Sequence, residues 1–249
     1  MRFKAKRSFQ NRAAGKLTMW RWPLWSAMPF ARLRPTFGVA HTIEFLCGVP
    51  AMLRYTIYDT PVMRTFAYVV GITWLKVFGW RVGDPPPDLK RYVLLAVPHT
   101  SNWDLVFTLA ISFATRNKVY WLGKKEMFLP GLSLFYRWLG GIPVDRARAH
   151  KIATQTIRTL REEEAFAIAI PPEGTRKEVT EWKRGFYLIA RGAKVPIVLG
   201  YLDYARKCGG YGPVIEPSGD VDADMERIKA FYADKGGRYR VDSAETASD

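Results

Sequence analysis

The stretch "RYVLLAVPHTSNWDLVFTLAISFA", Arg91 to Ala114, decides the fold class. It begins as a short apolar run closed by Pro98, which has the length and composition of a buried strand. It ends in "LVFTLAISFA", and Ser101 with Asp104 three residues later has the spacing of a capping box, so a helix is expected over Trp103 to Ala114. A strand passing through a short loop into a helix is the repeating unit of α/β proteins. The same alternation continues downstream. "KVYWL", "AFAIAI" and "VPIVLG" read as further buried strands, with helices expected over Leu132 to Leu139, Ala149 to Glu163 and Glu181 to Arg191. In the last of these Trp182, Phe186 and Ile189 share one face. The expected fold class is therefore α/β, a largely parallel mixed sheet flanked by helices.

Upstream of this pattern, "GDPPPDLK", Gly83 to Lys90, loses three amide donors to successive prolines and reads as a linker. The chain divides accordingly into a helical segment over 1–82, the linker 83–90, a catalytic-size domain over 91–240 and a polar tail over 241–249. With 249 residues, 48% of them hydrophobic, the chain can bury a substantial core, which excludes disorder along its whole length. Two cysteines, Cys47 and Cys208, make no disulfide framework and show no metal-ligand spacing, so a reducing compartment is the default.

A net charge of +15 calls for an acidic partner, either nucleic acid or an anionic membrane face. No acidic residue precedes Glu44, whereas Arg2, Lys4, Lys6, Arg7, Arg12, Lys16, Arg21, Arg32 and Arg34 are interleaved with Trp20, Trp22, Trp25, Phe30 and Phe37. Cations attract anionic headgroups by about 1 kcal/mol each near a bilayer, and indole rings settle at headgroup level. Arg21, Pro23 and Pro29 interrupt the one candidate secretory signal. The longest uncharged run of the N-terminal part, Thr65 to Leu75, falls short of the roughly 20 residues a spanning helix needs. Val39 to Ile57 and Val62 to Trp80 are instead expected as helices lying in one leaflet, with Arg54, Arg64 and Lys76 reaching outward. This N-terminal membrane-interface helical segment makes the expected protein peripheral or monotopic.

Three loops carry residues suited to chemistry. His99 follows Pro98 at the carboxyl end of a strand, the edge where open α/β sheets bind ligands. With His99 in the loop and Asp104 in the first helical turn the two side chains can meet. The carboxylate then fixes the imidazole tautomer and leaves the other nitrogen free to take a proton. Asp104 also has a purely structural role available as a cap. "IPPEGTRKE" follows the strand ending at Ile170, and its glycine, hydroxyl and Arg176 are an inventory for holding a phosphate, although a plain proline-glycine turn has the same composition. In "GGIPVDRAR", Arg146 follows a short extended run and can present a second cation or stand exposed at a helix start.

These blocks resemble the glycerophospholipid acyltransferase superfamily, the lysophosphatidic acid (1-acylglycerol-3-phosphate) acyltransferases in particular. "PHTSNWD" matches the family's His-x4-Asp block, Gly140 to Arg146 the second block, "PPEGTR" the third, and "VPIVLG" around Pro196 the fourth, all in order. The resemblance covers roughly Trp74 to Pro217 and implies a glycerol-3-phosphate acyltransferase-like fold. It implies that His99 is the general base and Asp104 its orienter. Arg146, Glu173, Gly174 and Arg176 would hold the acceptor's phosphate and shape its site, with Thr175 a nearby donor, and Lys125 in "KKEMF" matches a less regular family lysine. The implied partners are an anionic membrane surface, a lysophospholipid acceptor, and acyl-CoA or acyl-carrier protein as donor substrate, with no cofactor, no metal and no nucleic acid. The implied location is the cytoplasmic face of the cell membrane, in phospholipid biosynthesis. Pro98, Pro171 and Lys177 depart from the family's usual asparagine, aromatic and serine, and "WKRGFYLIA" is similar to a bacterial glycerol acyltransferase-like branch, which leaves the acceptor open.

Two rival classes remain at this stage. A non-catalytic basic protein binding anionic lipid or nucleic acid would show affinity falling with salt and indifferent to His99. A serine hydrolase would use Ser101, which lacks the surrounding Gly-x-Ser-x-Gly elbow.

Overall fold

Tyr92 and Leu94 belong to the core on one side of their strand, Val93, Leu95 and Val97 to the core on the other, and all five are buried. A strand covered on both faces belongs inside a sheet layered by helices, which is why the run is apolar throughout rather than alternating. The structure is a computed structural model and describes residues 55–174 and 181–235. Among the described residues seven strands form one sheet: β1 (Arg81–Val82), β2 (Arg91–Val97), β3 (Tyr120–Lys124), β4 (Gly141–Val144), β5 (Phe166–Ile170), β6 (Ile197–Asp203) and β7 (Cys208–Ile215). Their order is β1-β7-β6-β2-β5-β3-β4. β2 to β6 run parallel, β7 is antiparallel to β6, and β1 is parallel to β7.

Among the described residues six α-helices connect and cover these strands: α1 (Pro61–Val77), α2 (Trp103–Ala114), α3 (Leu132–Trp138), α4 (Ala149–Glu162), α5 (Gly185–Ala193) and α6 (Val221–Tyr232). On one face of the sheet Leu160 of α4, Phe186 and Ile189 of α5 and Ile228 of α6 close over Val93, Leu95, Ile168 and Ile197. On the other, Leu75 of α1 and Phe107, Ala110 and Ile111 of α2 close over Tyr92, Leu94 and Val198. Gly71 lets α1 approach α2 closely, since a Cβ there would sit 2.7 Å from the Ala110 carbonyl oxygen and 2.8 Å from Phe113 Cβ. Lys118 holds the segment preceding α1 by donating to both Asp59 carboxylate oxygens at 2.8 Å, and Asp59 caps the backbone of Thr56.

The expected parallel α/β fold is present, and its differences from the sequence reading have local causes. α5 begins at Gly185 rather than Glu181, because the Lys183 amide donates to the Pro172 carbonyl and holds the preceding turn against the loop after β5. α1 ends at Val77, short of Trp80, where Gly79 takes a φ of +70°. Residues 55–57 are irregular and turn rather than helix, and the rest of the helix expected over Val39 to Ile57 lies outside the described residues. The 83–90 segment is irregular as expected, but α1 packs on α2 and β1 joins the sheet through β7, so residues 61–82 pack as part of the domain. β7, which the sequence reading did not anticipate, pairs along β6 from Cys208 to Ile215. α6 is capped by Asp220, whose carboxylate accepts from the Ala223 amide at 3.1 Å.

Strand order fixes where a site can form. From β2 the chain moves to β3 and β4, returns to β5 beside β2, then crosses to β6 on the other side of β2. Such a reversal opens a crevice outside the carboxyl ends of the central strands, here those of β2, β5 and β6.

Candidate active site

The carboxyl ends of β2 and β5 lie side by side, with Leu95 in register with Ile170. The loops that leave them therefore start as neighbours: His99 follows β2 by two residues and Glu173 follows β5 by three. They are joined directly, since the His99 amide donates to Glu173 Oε1 at 3.2 Å. The Val97–Pro98 peptide bond before His99 is cis.

Asp104, in the first turn of α2, has its side chain only 4% exposed, and both oxygens are held by donors. Oδ2 accepts from the Thr100 and Ser101 amides, each at 2.6 Å. Oδ1 accepts from the Ser101 hydroxyl at 3.0 Å and from the Tyr204 hydroxyl at 2.6 Å. The helix starts at Trp103 with Asn102 as its N-cap. The expected capping box is therefore half realised: Asp104 reaches back to the Ser101 amide, while Ser101 Oγ accepts from the Trp103 amide at 3.1 Å instead of from Asp104. His99 Nδ1 lies 3.8 Å from Asp104 Oδ2, with the imidazole side chain 22% exposed. The pair expected from sequence is thus brought together, facing but just beyond hydrogen-bond length.

Glu173 Oε1 is committed to the His99 backbone. Its Oε2 is buried and without a hydrogen-bond partner among the described residues. Burial pushes its carboxyl up to about 7, opposed by the His99 amide and its own and reinforced by the charge of Asp104. Gly174 has a φ of +63°, a conformation that favours glycine, and a Cβ there would crowd the Lys183 side chain at 3.1 to 3.3 Å. Thr175 and Arg176, and the departing Lys177, lie outside the described residues. Arg146 begins a single 3₁₀ turn directly after Asp145, at the carboxyl edge of β4, and its side chain is not among those described.

A cavity of about 370 Å³ opens at this edge, with His99, Asp104 and Lys124 on its wall. Its remaining lining is mainly apolar, with Leu105, Trp121, Met127 and Leu202 contributing. The space exists because Ala96 and Ala169, at the carboxyl ends of β2 and β5, offer only methyl groups to the face that Tyr92 and Leu94 fill lower down. Pocket volumes of roughly 300–1,000 Å³ are those that take small-molecule ligands. Lys125, the lysine singled out from sequence, sits exposed in the 3₁₀ turn after β3 and does not line the cavity; its neighbour Lys124 does. Pro98 and Pro171, two of the departures noted above, also line it. Tyr204 and Lys124 are the site residues that the sequence reading missed. Lys124 was open to choice beside Lys125, whereas nothing local marks Tyr204.

Comparison with known proteins gives the following similarities. The Acyltransferase family model matches residues 85–199, the span that holds His99, Asp104, Lys124 and Glu173. A Caenorhabditis elegans protein provisionally named 1-acyl-sn-glycerol-3-phosphate acyltransferase acl-1 is 29% identical over 170 residues, which are 65% of this chain and 63% of that protein. The chain thus spans less than two thirds of that relative's length. Among solved structures, the 1-acyl-sn-glycerophosphate (LPA) acyltransferase PlsC from Thermotoga maritima aligns with a TM-score of 0.49 at 16% identity, covering 68% of this chain and 78% of that one. Residues 85–199 of the chain are thus similar to the acyltransferase family.

Proposed function

We propose that the protein is a membrane-surface O-acyltransferase that moves an acyl group from a thioester donor, acyl-CoA or acyl-carrier protein, to the free hydroxyl of a lysophospholipid such as 1-acylglycerol 3-phosphate. The observation that carries this reading is the position of His99 on the wall of an apolar cavity, opposite a buried Asp104 whose carboxylate is held by four donors.

The chemistry follows from that placement. On this reading Nδ1, which faces the carboxylate, keeps its proton and Nε2 acts as the base. It takes the proton of the acceptor hydroxyl while the oxygen attacks the thioester carbonyl. The tetrahedral adduct collapses with cleavage of the C–S bond, and the thiolate leaves with the proton returned from His99. Asp104 stabilises the transient imidazolium, and catalytic hydrogen bonds of this kind commonly tighten only when substrate is bound. Glu173 holds the backbone of His99, and Lys124 supplies a cation for the acceptor phosphate at the cavity wall; the phosphate roles of Arg146 and Arg176 rest on the motif resemblance alone. Ser101 is no nucleophile in this scheme, since its hydroxyl both donates to Asp104 and accepts from Trp103.

The membrane reading is supported by α1 and by α3 with the turn before it. Val62, Phe66, Val69, Val70 and Val77 leave an apolar stripe exposed along α1, flanked by Arg64 and Lys76 and free of acidic residues. Leu129, Leu132, Leu134 and Phe135 do the same around α3. Among the described residues no helix is long and apolar enough to cross a membrane.

His99→Ala is expected to abolish acyl transfer from acyl-CoA to lysophosphatidate, by at least the roughly 10²-fold that a general base contributes, while vesicle binding persists. Wild-type activity in that variant would remove His99 as the base. Lipid analysis of products from a panel of lysolipid acceptors then identifies the headgroup.

A further inference from the structure

Tyr204 enters the site from the carboxyl end of β6, past the fourth motif block, which opens that strand. It follows β6 directly and lies beyond the span matched by the family model. Its hydroxyl donates to Asp104 Oδ1 at 2.6 Å. The ring that carries this hydroxyl is boxed by two aromatic neighbours, Trp80 edge-on at 4.9 Å and Phe107 edge-on at 5.8 Å, which themselves stack at 4.2 Å. Phe107 stands three residues after Asp104 on α2, so the helix that presents the carboxylate also braces the ring that aims the hydroxyl.

The two oxygens of Asp104 have separate surroundings. Oδ2 accepts from the Thr100 and Ser101 amides and is the oxygen that faces His99 Nδ1. Oδ1 accepts from the hydroxyls of Ser101 and Tyr204. The two amides and the Ser101 hydroxyl belong to the same turn as Asp104 and move with it. Tyr204 belongs to the sheet, 100 residues away in sequence, and ties the carboxylate to a different part of the fold.

We propose that Tyr204 is a positioning residue for the His99–Asp104 pair, its hydroxyl fixing the rotation of the Asp104 carboxylate so that Oδ2 stays turned toward the imidazole. The proposal rests on the reading of His99 as the base. Tyr204 neither gains nor loses a proton in the cycle: the proton passes from the acceptor hydroxyl to His99 and on to the departing thiolate, and Asp104 remains a carboxylate throughout.

Tyr204→Phe keeps the ring and its aromatic box and removes the hydrogen bond to Asp104. Acyl transfer from acyl-CoA to lysophosphatidate should show kcat lowered roughly tenfold, the scale of one hydrogen bond to a charged group, with KM for both substrates unchanged. In an Asp104→Asn background the same change should lower kcat no further, because the hydroxyl acts through the carboxylate. A purely structural tyrosine would lower the unfolding temperature and leave the kcat of folded enzyme at the wild-type value, which overturns the proposal. An equal loss in both backgrounds overturns it too. Should Tyr204→Phe fail to fold, 3-fluorotyrosine at position 204 changes the donor strength with almost no change in shape. A twofold or larger change in kcat supports the proposal and an unmoved kcat overturns it. His99→Ala, assayed alongside, separates the two levels: activity retained there overturns the assignment of the base, whatever Tyr204 does.

Discussion

Asp104 shows how one carboxylate can hold the turn before a helix and face a neighbouring imidazole at once. The bonds from the Thr100 and Ser101 amides are those any first-turn carboxylate would make, and they are also what holds Oδ2 beside His99. The His-x4-Asp spacing made this pair legible, since a loop histidine and a first-turn aspartate five residues on have few other ways to meet. Glu173 was legible as a motif residue but not in its role: a solvent-exposed phosphate-site carboxylate and a buried clamp on the His99 amide look the same in sequence. Its environment predicts a pH dependence. Burial lifts the folded carboxyl from the usual 4.5 to about 7, so the folded state retains a proton that the unfolded chain has released. Stability should therefore fall as pH rises from about 4.5 to about 7 and level off above. Glu173→Gln, which keeps the acceptor for the His99 amide but does not titrate, should flatten that slope in urea-unfolding midpoints measured across this range. An unchanged slope would show that Glu173 does not titrate in the fold.

At the scale of elements, the apolar runs decided most assignments and local turns decided their ends. β2, β5 and β6 were readable because strands buried on both faces need no alternation, only length and flanking breakers. β7 was not, because its glycines and proline suit a turn when nothing says that β6 offers a partner edge. α1 and α3 raise a different point. Both were expected as helices from apolar content, but which side each would bury depends on neighbours: α1 buries Ala67, Gly71 and Leu75 toward the domain and leaves Val62, Phe66 and Val69 outside. Leu134 is 75% and Phe135 50% exposed, on the helix that follows β3 and its 3₁₀ turn. Burying one large apolar side chain in an interface is worth about 1.5–3 kcal/mol, at least roughly tenfold in affinity. Leu134→Asp with Phe135→Asp should accordingly weaken binding to phosphatidylglycerol vesicles by tenfold or more in sedimentation assays. Activity toward a short-chain, water-soluble acceptor should be untouched. Unchanged vesicle binding would take α3 out of the membrane face.

The whole molecule adds charge and strand order. At +15 the protein should favour anionic over zwitterionic vesicles. Raising ionic strength from about 0.1 M to about 1 M shortens the screening length from about 10 to about 3 Å, so binding to anionic vesicles should fall steeply while any binding to phosphatidylcholine changes little. Salt-insensitive binding to both would assign the interaction to apolar contact alone. The sequence by itself determined the α/β class, the order of the motif blocks and the pairing of His99 with Asp104, because each depends on periodicity or on residues within one turn of each other. Only the tertiary structure decided that β2 and β5 lie side by side, that Glu173 grips the backbone of His99, that Lys124 rather than Lys125 lines the cavity, and that Tyr204 reaches Asp104 from β6. Those contacts join residues up to 100 positions apart, and they are set by strand order, a product of how the whole core packs that no local stretch of chain encodes.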